Sequence, residues 1–298
     1  MARSPILFDR DLLRARRARA AALGPASFLL DLVAAELSER LSVVLRKFEL
    51  AADLATPGDA VRRVLENIVG TVIAADAQPE LRAERLPLIV AADLEALPFR
   101  DGAFDLAVSA LALQFVNDLP GVLTQIRRAL KADGLFLAAL IGGVSLAELR
   151  EAFAEAEAEA EGGASPRVAP FVDVRELGAL LQRAGFALPV TDIDRVTVRY
   201  ASPLALMHDL RRMGATNVLA ERRRTPLRRA TLRRMMQIYG ERFADADGRV
   251  YATFEIVWLS GWAPHESQQK PLAPGSAKMR LADALGTQES SAGEKAGR

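Results

Sequence analysis

Short apolar runs alternate with amphipathic stretches along most of this chain. Phe48–Asp53 is apolar and ends on an acid, as a buried strand entering a turn does, and Asp59–Glu66 then sets Val61, Val64 and Leu65 on one helical face. Thr71–Ala75 is strand-like and ends at Asp76, the apolar piece Leu86–Ala91 leads to Asp93, and Phe104–Ser109 is a further strand. Asp118 and Pro120 open a helix whose Leu119, Val122, Leu123, Ile126 and Leu130 recur at i, i+3 and i+4. Gly134 is expected to close it in a left-handed conformation, ahead of a buried strand at Leu135–Ile141. Later, Asp173–Ala184 reads as a helix closed by Gly185, Phe186–Val190 and Asp194–Tyr200 as two strands, and TFEIVWLSGW as a last strand. This alternation predicts an α/β fold, a parallel sheet covered by helices on both faces.

The flanks read differently. The arginine-rich start has the pattern of an amphipathic helix with Leu12, Leu13 and Leu23 turned inward, and further helix is expected over about Pro25–Leu45. Its Asp9 and Asp11 argue against an organelle transit peptide, and no secretory signal is expected. REAFAEAEAEAEGG, built of strong helix formers and stopped by glycines, predicts an exposed helix end. Ser202–Gly214 and Thr225–Phe243 form an arginine-rich helical region, and from about Ala263 the chain is polar and is expected to lack a fixed core. The expected organisation is a helical segment over 1–46, a main domain over 47–262 with a helical insertion at about 202–245, and a polar tail over 263–298.

Composition narrows the function. With 50% hydrophobic residues the 298-residue chain fills a substantial core, and no apolar run reaches the length of a membrane span. Its 39 basic and 38 acidic residues nearly cancel, which argues against nucleic acid as a partner. The run ERRRTPLRRATLRRMM lacks interleaved aromatics and reads first as a solvated helix face, second as a docking face for an acidic protein. The absence of cysteine excludes disulfides, thiolate catalysis and cysteine-ligated metals, and fits a cytoplasmic, reducing setting.

Ligands of open α/β sheets sit beyond the carboxyl ends of the strands. Asp53, Asp76, Asp93 and Ser109 fall at such ends. Asp76 lies 23 residues after Asp53, close to the spacing of about 20 at which an acid binds ribose hydroxyls. Asp53 is placed to orient the first turn or meet an amino-acid moiety, and Asp93 to accept from an adenine amino group. The first turn, Ala55–Asp59, carries only Gly58 where such sites usually have two or three glycines. Pro57 removes a backbone donor, and Asp59 would repel a phosphate while suiting a cation. Gln114, Asn117 and Asp118 are the polar residues of the loop after Phe104–Ser109, with Asp118 read chiefly as a helix cap. The two histidines, His208 and His265, are 57 apart and form no iron-binding triad with a carboxylate, so no metal is expected.

LPFRDGAFDLAVSALALQFVNDLPGVLTQIRRALKADGLFLAAL resembles the core of class I S-adenosylmethionine-dependent methyltransferases, a Rossmann-like fold with a seven-stranded, mainly parallel sheet. FDRDLLRARR, FVNDLP, LLQRAGF, DLRRMGATN, DGRVYATFEIVWLSGW and HESQQKPLAPGSA are together similar to the mitochondrial respiratory complex I assembly factors that carry this fold and hydroxylate an arginine of a complex I subunit. The resemblance runs from about Phe8 to Leu285 and implies S-adenosyl-L-methionine as cofactor. It carries over Asp53, Leu54, Asp76, Asp93 and FVNDLP, with Gly58, Leu94 and Ser109 completing the expected cofactor side and Gln114 and Asn117 on the substrate side. Gln114 stands where the family usually has a histidine, and the glycines of the first turn are missing. The function expected is an S-adenosylmethionine-dependent enzyme acting on a protein or carrier-bound substrate and linked to complex I assembly. The alternatives on the same fold are an arginine hydroxylase or a non-catalytic assembly chaperone.

Overall fold

The computed structural model describes residues 6–81, 88–269, 276 and 279–288. The start of the expected strand at Leu86–Pro87 and half of the expected tail lie outside them. The chain divides into two compact units, Met1–Pro264 and His265–Arg298. Among its described residues the second unit contributes one short helix, Leu281–Leu285.

The first unit opens with helices α1 (Arg10–Ala22) and α2 (Phe28–Ser42). Then β1 (Phe48–Leu54), α3 (Ala60–Glu66), β2 (Val69–Asp76), β3 (Ile89–Ala91), β4 (Phe104–Ala110), α4 (Leu119–Ala129), β5 (Leu130–Gly142) and α5 (Ala147–Glu161) follow. The unit ends with α6 (Val174–Arg183), β6 (Ala187–Tyr200), α7 (Pro203–Arg212), α8 (Arg229–Phe243) and β7 (Val250–Trp262). The strands form one seven-stranded sheet in the order β3-β2-β1-β4-β5-β7-β6. β1 to β5 pair in parallel, while β7 runs antiparallel between β5 and β6.

Successive side chains of a strand face opposite sides, and the two cores follow that rule. Ala107, Phe136, Ala138 and Leu140 meet Val122, Leu123 and Ile126 of α4 and Leu177 and Leu181 of α6. Their neighbours Leu106, Val108, Leu135, Leu137 and Ala139 meet Val33 and Leu37 of α2 and Val61 and Leu65 of α3 on the other face. A third cluster joins α5, α7 and α8 to Val250, Ala252 and Phe254 of β7. In this strand order the chain builds outward from β1 to β3 and then returns to β4 on the far side of β1. The crevice beyond the ends of β1 and β4 is therefore the topological switch point, where such sheets bind ligands.

Four sequence expectations change here. Phe186–Tyr200 is not two strands: β6 is one strand with an irregularity between Ala187 and Val190, where Leu188 takes φ 49°. Gly134 lies inside β5, and the left-handed residue of that turn is Asp133, φ 61°. Leu23, at 51% exposure, faces outward, whereas Leu12 and Leu13 pack as expected against Phe8, Val218 and Leu219. The alanine–glutamate segment ends a helix with Ala158–Ala160 exposed, as expected, but it is not exposed throughout, since Ala152, Phe153, Ala156 and Glu157 are buried. Its acids hold the arginine-rich region: Glu161 pairs with Arg223, Glu159 with Arg234 and Glu155 with Arg242. Several arginines that the sequence places in solvent are therefore internal partners.

Candidate functional site

At the switch point the backbone turns sharply three times. Ala55 follows β1 with φ 55°, Leu111 follows β4 with φ 52°, and Leu146, after β5, takes φ 55°. Residues with a Cβ adopt this left-handed region only when the surroundings hold them there, and such strain collects at ligand sites. The Ala55 N–H donates to the Ala75 carbonyl at 2.7 Å, locking the turn to β2. Thr56, fully buried, accepts from the Ala110 N–H at 3.1 Å, tying the turn to the end of β4. The bend that a glycine would supply is thus present with alanine. Ala55→Val is expected to lower the unfolding free energy by about 2 kcal/mol, since a branched side chain is poorly tolerated in this conformation and the site is buried. Ala55→Gly is expected to cost nothing measurable, and urea denaturation of the two variants checks the contrast.

A cavity of about 740 Å³ opens beyond these turns. Its sheet side is formed by Pro57, Gly58 and Asp59 of the first turn, Asp76 at the end of β2, Gln78, Leu111 and Gln114. Gly58 is left-handed at φ 64°. Asp76 is only 8% exposed, and one of its carboxylate oxygens accepts from the Gln78 N–H at 2.9 Å. Two side-chain carbonyls there, Gln78 Oε1 and Gln114 Oε1, are buried without a hydrogen-bond partner, although Gln114 Nε2 donates to the Leu111 carbonyl at 2.9 Å. The opposite side comes from α1, α5, α7 and the 167–171 and 213–218 segments, including Arg16, Leu149, Phe153, Arg167 and Thr216.

Of the residues singled out from sequence, Gly58, Asp76 and Gln114 line this cavity together; Asp53, Leu54, Asp93, Leu94, Ser109 and Asn117 do not. Asp53 and Leu54 are buried in β1, and the Ser109 hydroxyl donates to the Leu54 carbonyl at 2.8 Å, bracing β1 against β4. Leu94 packs on the core. Asp93 pairs with Arg10 of α1 and accepts from the Glu95 N–H at 2.9 Å. Burial pushes its carboxyl up, but those two hydrogen bonds and the Arg10 charge hold it below the ordinary aspartate value. Asn117 receives the amino-terminal segment: its Oδ1 accepts from Leu7 N at 2.8 Å and Phe8 N at 2.7 Å, and its Nδ2 donates to Phe8 O. Asp118 caps α4 by accepting from Gly121 N at 2.9 Å.

Asn117 and Asp93 therefore dock the chain's own start onto the α/β domain. That segment continues into a bridge between Phe8 and Leu219, and Phe8 meets the cavity-lining Phe115 edge-on at 6.0 Å. Gln78, Leu111, Leu146, Arg16 and Thr216 were not legible as site residues. A left-handed leucine has no sequence signature, and Arg16 is one arginine among several on its helix.

The fold and this cavity place the chain among known proteins. A methyltransferase domain matches residues 52–138. The YcgJ protein of Bacillus subtilis superposes with a TM-score of 0.53 over 77% of this chain and 98% of its own, at 14% identity. The fold is that of class I S-adenosyl-L-methionine-dependent methyltransferases, and its central part matches a methyltransferase domain. Arginine-hydroxylase NDUFAF5 of Danio rerio is 38% identical over 93% of this chain and 89% of its own length. The malonyl-[acyl-carrier protein] O-methyltransferase of Laribacter hongkongensis is 39% identical over 64% of this chain and 62% of its own. The chain belongs to the arginine-hydroxylase NDUFAF5 family.

S-adenosyl-L-methionine is the cofactor of this class, and the residues present fit it. The cavity volume lies within the roughly 300–1,000 Å³ typical of small-molecule sites. Asp31, Asp59 and Asp76 give it carboxylates suited to a cationic ligand. The two unpartnered glutamine carbonyls are acceptors for ligand N–H or O–H groups. Among the described residues no group of three or more histidine, aspartate or glutamate side chains is placed to hold a metal ion, and no helix is long and apolar enough to cross a membrane.

Proposed function

We propose that this chain binds S-adenosyl-L-methionine on the sheet side of the cavity and modifies a protein or carrier-bound substrate admitted from the helical side. One observation carries the reading: three strained left-handed residues bend the chain at the ends of adjacent central strands, around a cavity that holds Asp76 and unpartnered glutamine carbonyls. In this reading Asp76 accepts from the ribose hydroxyls, Asp59 faces the ammonium group, and Gln78 and Gln114 accept from the remaining polar hydrogens. Bound cofactor supplies a methyl group already activated by a sulfonium. The protein's part is then to align the acceptor and keep water out, so a catalytic acid–base set is not required. Phe8, Val218 and Phe115 supply the water-excluding wall on the side where the amino-terminal segment docks. A chain without cysteine suits a reducing, cytoplasmic setting.

A second reading, arginine hydroxylation linked to respiratory complex I assembly, is favoured by the length of the match to the NDUFAF5 relatives, 93% of this chain against 64% for the carrier-protein methyltransferase. Both readings share the cofactor site. Ultraviolet crosslinking of S-adenosyl-[methyl-3H]methionine to the full chain, followed by peptide mapping, tests that site. Label is expected on peptides spanning residues 55–66 or 110–118, competed by S-adenosylhomocysteine. Uncompeted label spread over the surface would refute it.

A further inference from the structure

The helical side of the cavity is chemically unlike the sheet side. Arg16 of α1 lines it, half-buried, with its Nε shielded from solvent and without a hydrogen-bond partner. Among the described residues no carboxylate pairs with it. The groups that act on it electrostatically are other arginines, Arg19, Arg211 and Arg222, and burial together with these neighbours lowers its pKa. Arg211, at the end of α7, also lines the cavity and forms no ion pair among the described residues. Two other arginines of the lining differ: Arg167 is held by Glu157, and Arg212 donates to the Gly24 carbonyl and lies near Asp209. A buried hydroxyl, Thr216 Oγ1, lines the same side and likewise lacks a partner. The helices are fixed close together, since a Cβ on Gly214 would stand 3.4 Å from the Arg17 Cα.

A desolvated guanidinium with like charges around it is destabilising as it stands, as is an unsatisfied buried hydroxyl, and an anion held in the cavity that both of them line relieves them. The adjoining lining, Leu149, Phe153, Met207 and Leu210, is apolar and suits an aliphatic stem. With Asp31, Asp59 and Asp76 in the same cavity, a singly charged group is accommodated better than a doubly charged phosphate. We infer that Arg16, Arg211 and Thr216 form an acceptor subsite for an aliphatic carboxylate, supplied either by a carrier-bound or free acid or by an acidic side chain of a partner protein. This rests on the cofactor reading above, because it assigns the acceptor end of the same cavity.

The test uses the full chain saturated with S-adenosylhomocysteine, titrated calorimetrically with hexanoate, hexanamide, hexylguanidinium and N-acetylglutamate amide. Hexanoate or the glutamate derivative is expected to bind about tenfold tighter than hexanamide, the gain of a charge-assisted over a neutral hydrogen bond. The tighter of the two carboxylates identifies the source. Arg16→Gln is expected to erase the preference while leaving S-adenosylhomocysteine affinity unchanged, and Arg211→Gln, at an exposed position, to reduce it. Equal binding of hexanoate and hexanamide, preference for hexylguanidinium, or binding of none of the probes would overturn the subsite. So would a fall in S-adenosylhomocysteine affinity in a folded Arg16→Gln protein, which would give this arginine to the cofactor carboxylate. Failure of S-adenosylhomocysteine itself to bind would instead sink the cofactor reading.

Discussion

Replacing Glu157 with alanine is expected to lower the unfolding free energy by about 3 kcal/mol, the lower end of what removing one member of a buried ion pair costs. Glu157 is fully buried on α5 and accepts from the N–H and hydroxyl of Ser165 and from Arg167 Nε at 2.7 Å. The variant leaves the Arg167 guanidinium, only 16% exposed, unpaired beside the Phe153 ring and the cavity. Glu157→Gln keeps an acceptor and is expected to lose about half as much. Burial pushes the Glu157 carboxyl up, but the Ser165 and Arg167 hydrogen bonds outweigh it and hold its pKa below the ordinary glutamate value of 4.5. Its contribution is therefore present in full above that value and is lost as pH falls through the lowered folded-state pKa. Urea denaturation of wild type and Glu157→Ala at neutral and acid pH checks this. The gap between them is expected to close on acidification, and a gap independent of pH would contradict the pairing.

The second large effect concerns Asp76. Asp76→Ala is expected to weaken S-adenosylmethionine binding by roughly thirtyfold, about 2 kcal/mol, the value of charge-assisted hydrogen bonds to a ligand hydroxyl pair. Asp76→Asn retains an acceptor for the Gln78 N–H and is expected to fall between, separating the carboxylate's ligand role from its support of the turn. Equal affinity in all three proteins would remove Asp76 from the site.

Much of the fold was legible because it depends on local pattern. Central strands such as β4, buried along its whole length, read as apolar runs, and the helices above them kept their i, i+3, i+4 faces. Failures came where one residue departs from its usual conformation. Leu188 bends β6 without ending it, and Asp133 takes the left-handed place that Gly134 was expected to fill. Asp76 and Gly58, singled out because strand ends and glycines have positional meaning in such sheets, line the cavity. The uses of Asn117 and Asp93 were not legible. Asn117 binds Leu7 and Phe8, and Asp93 binds Arg10, across more than eighty residues of sequence that no periodicity spans. The same holds for the arginine-rich run, where Arg222 meets Asp9 and Arg223 meets Glu161. Charge balance alone does not show which charges are already partnered inside the molecule.

The missing glycines of the first turn bear most directly on function. Ala55 holds the left-handed bend, braced by Ala75 and Thr56, and Gly58 supplies the second one. The turn thus retains the bends of a cofactor-binding loop with fewer glycines. Isothermal titration of the full chain with S-adenosylmethionine and S-adenosylhomocysteine tests this claim most directly. The structure predicts micromolar binding of both; absence of binding at millimolar ligand would contradict it and leave the chain as an assembly factor that keeps the fold without the cofactor.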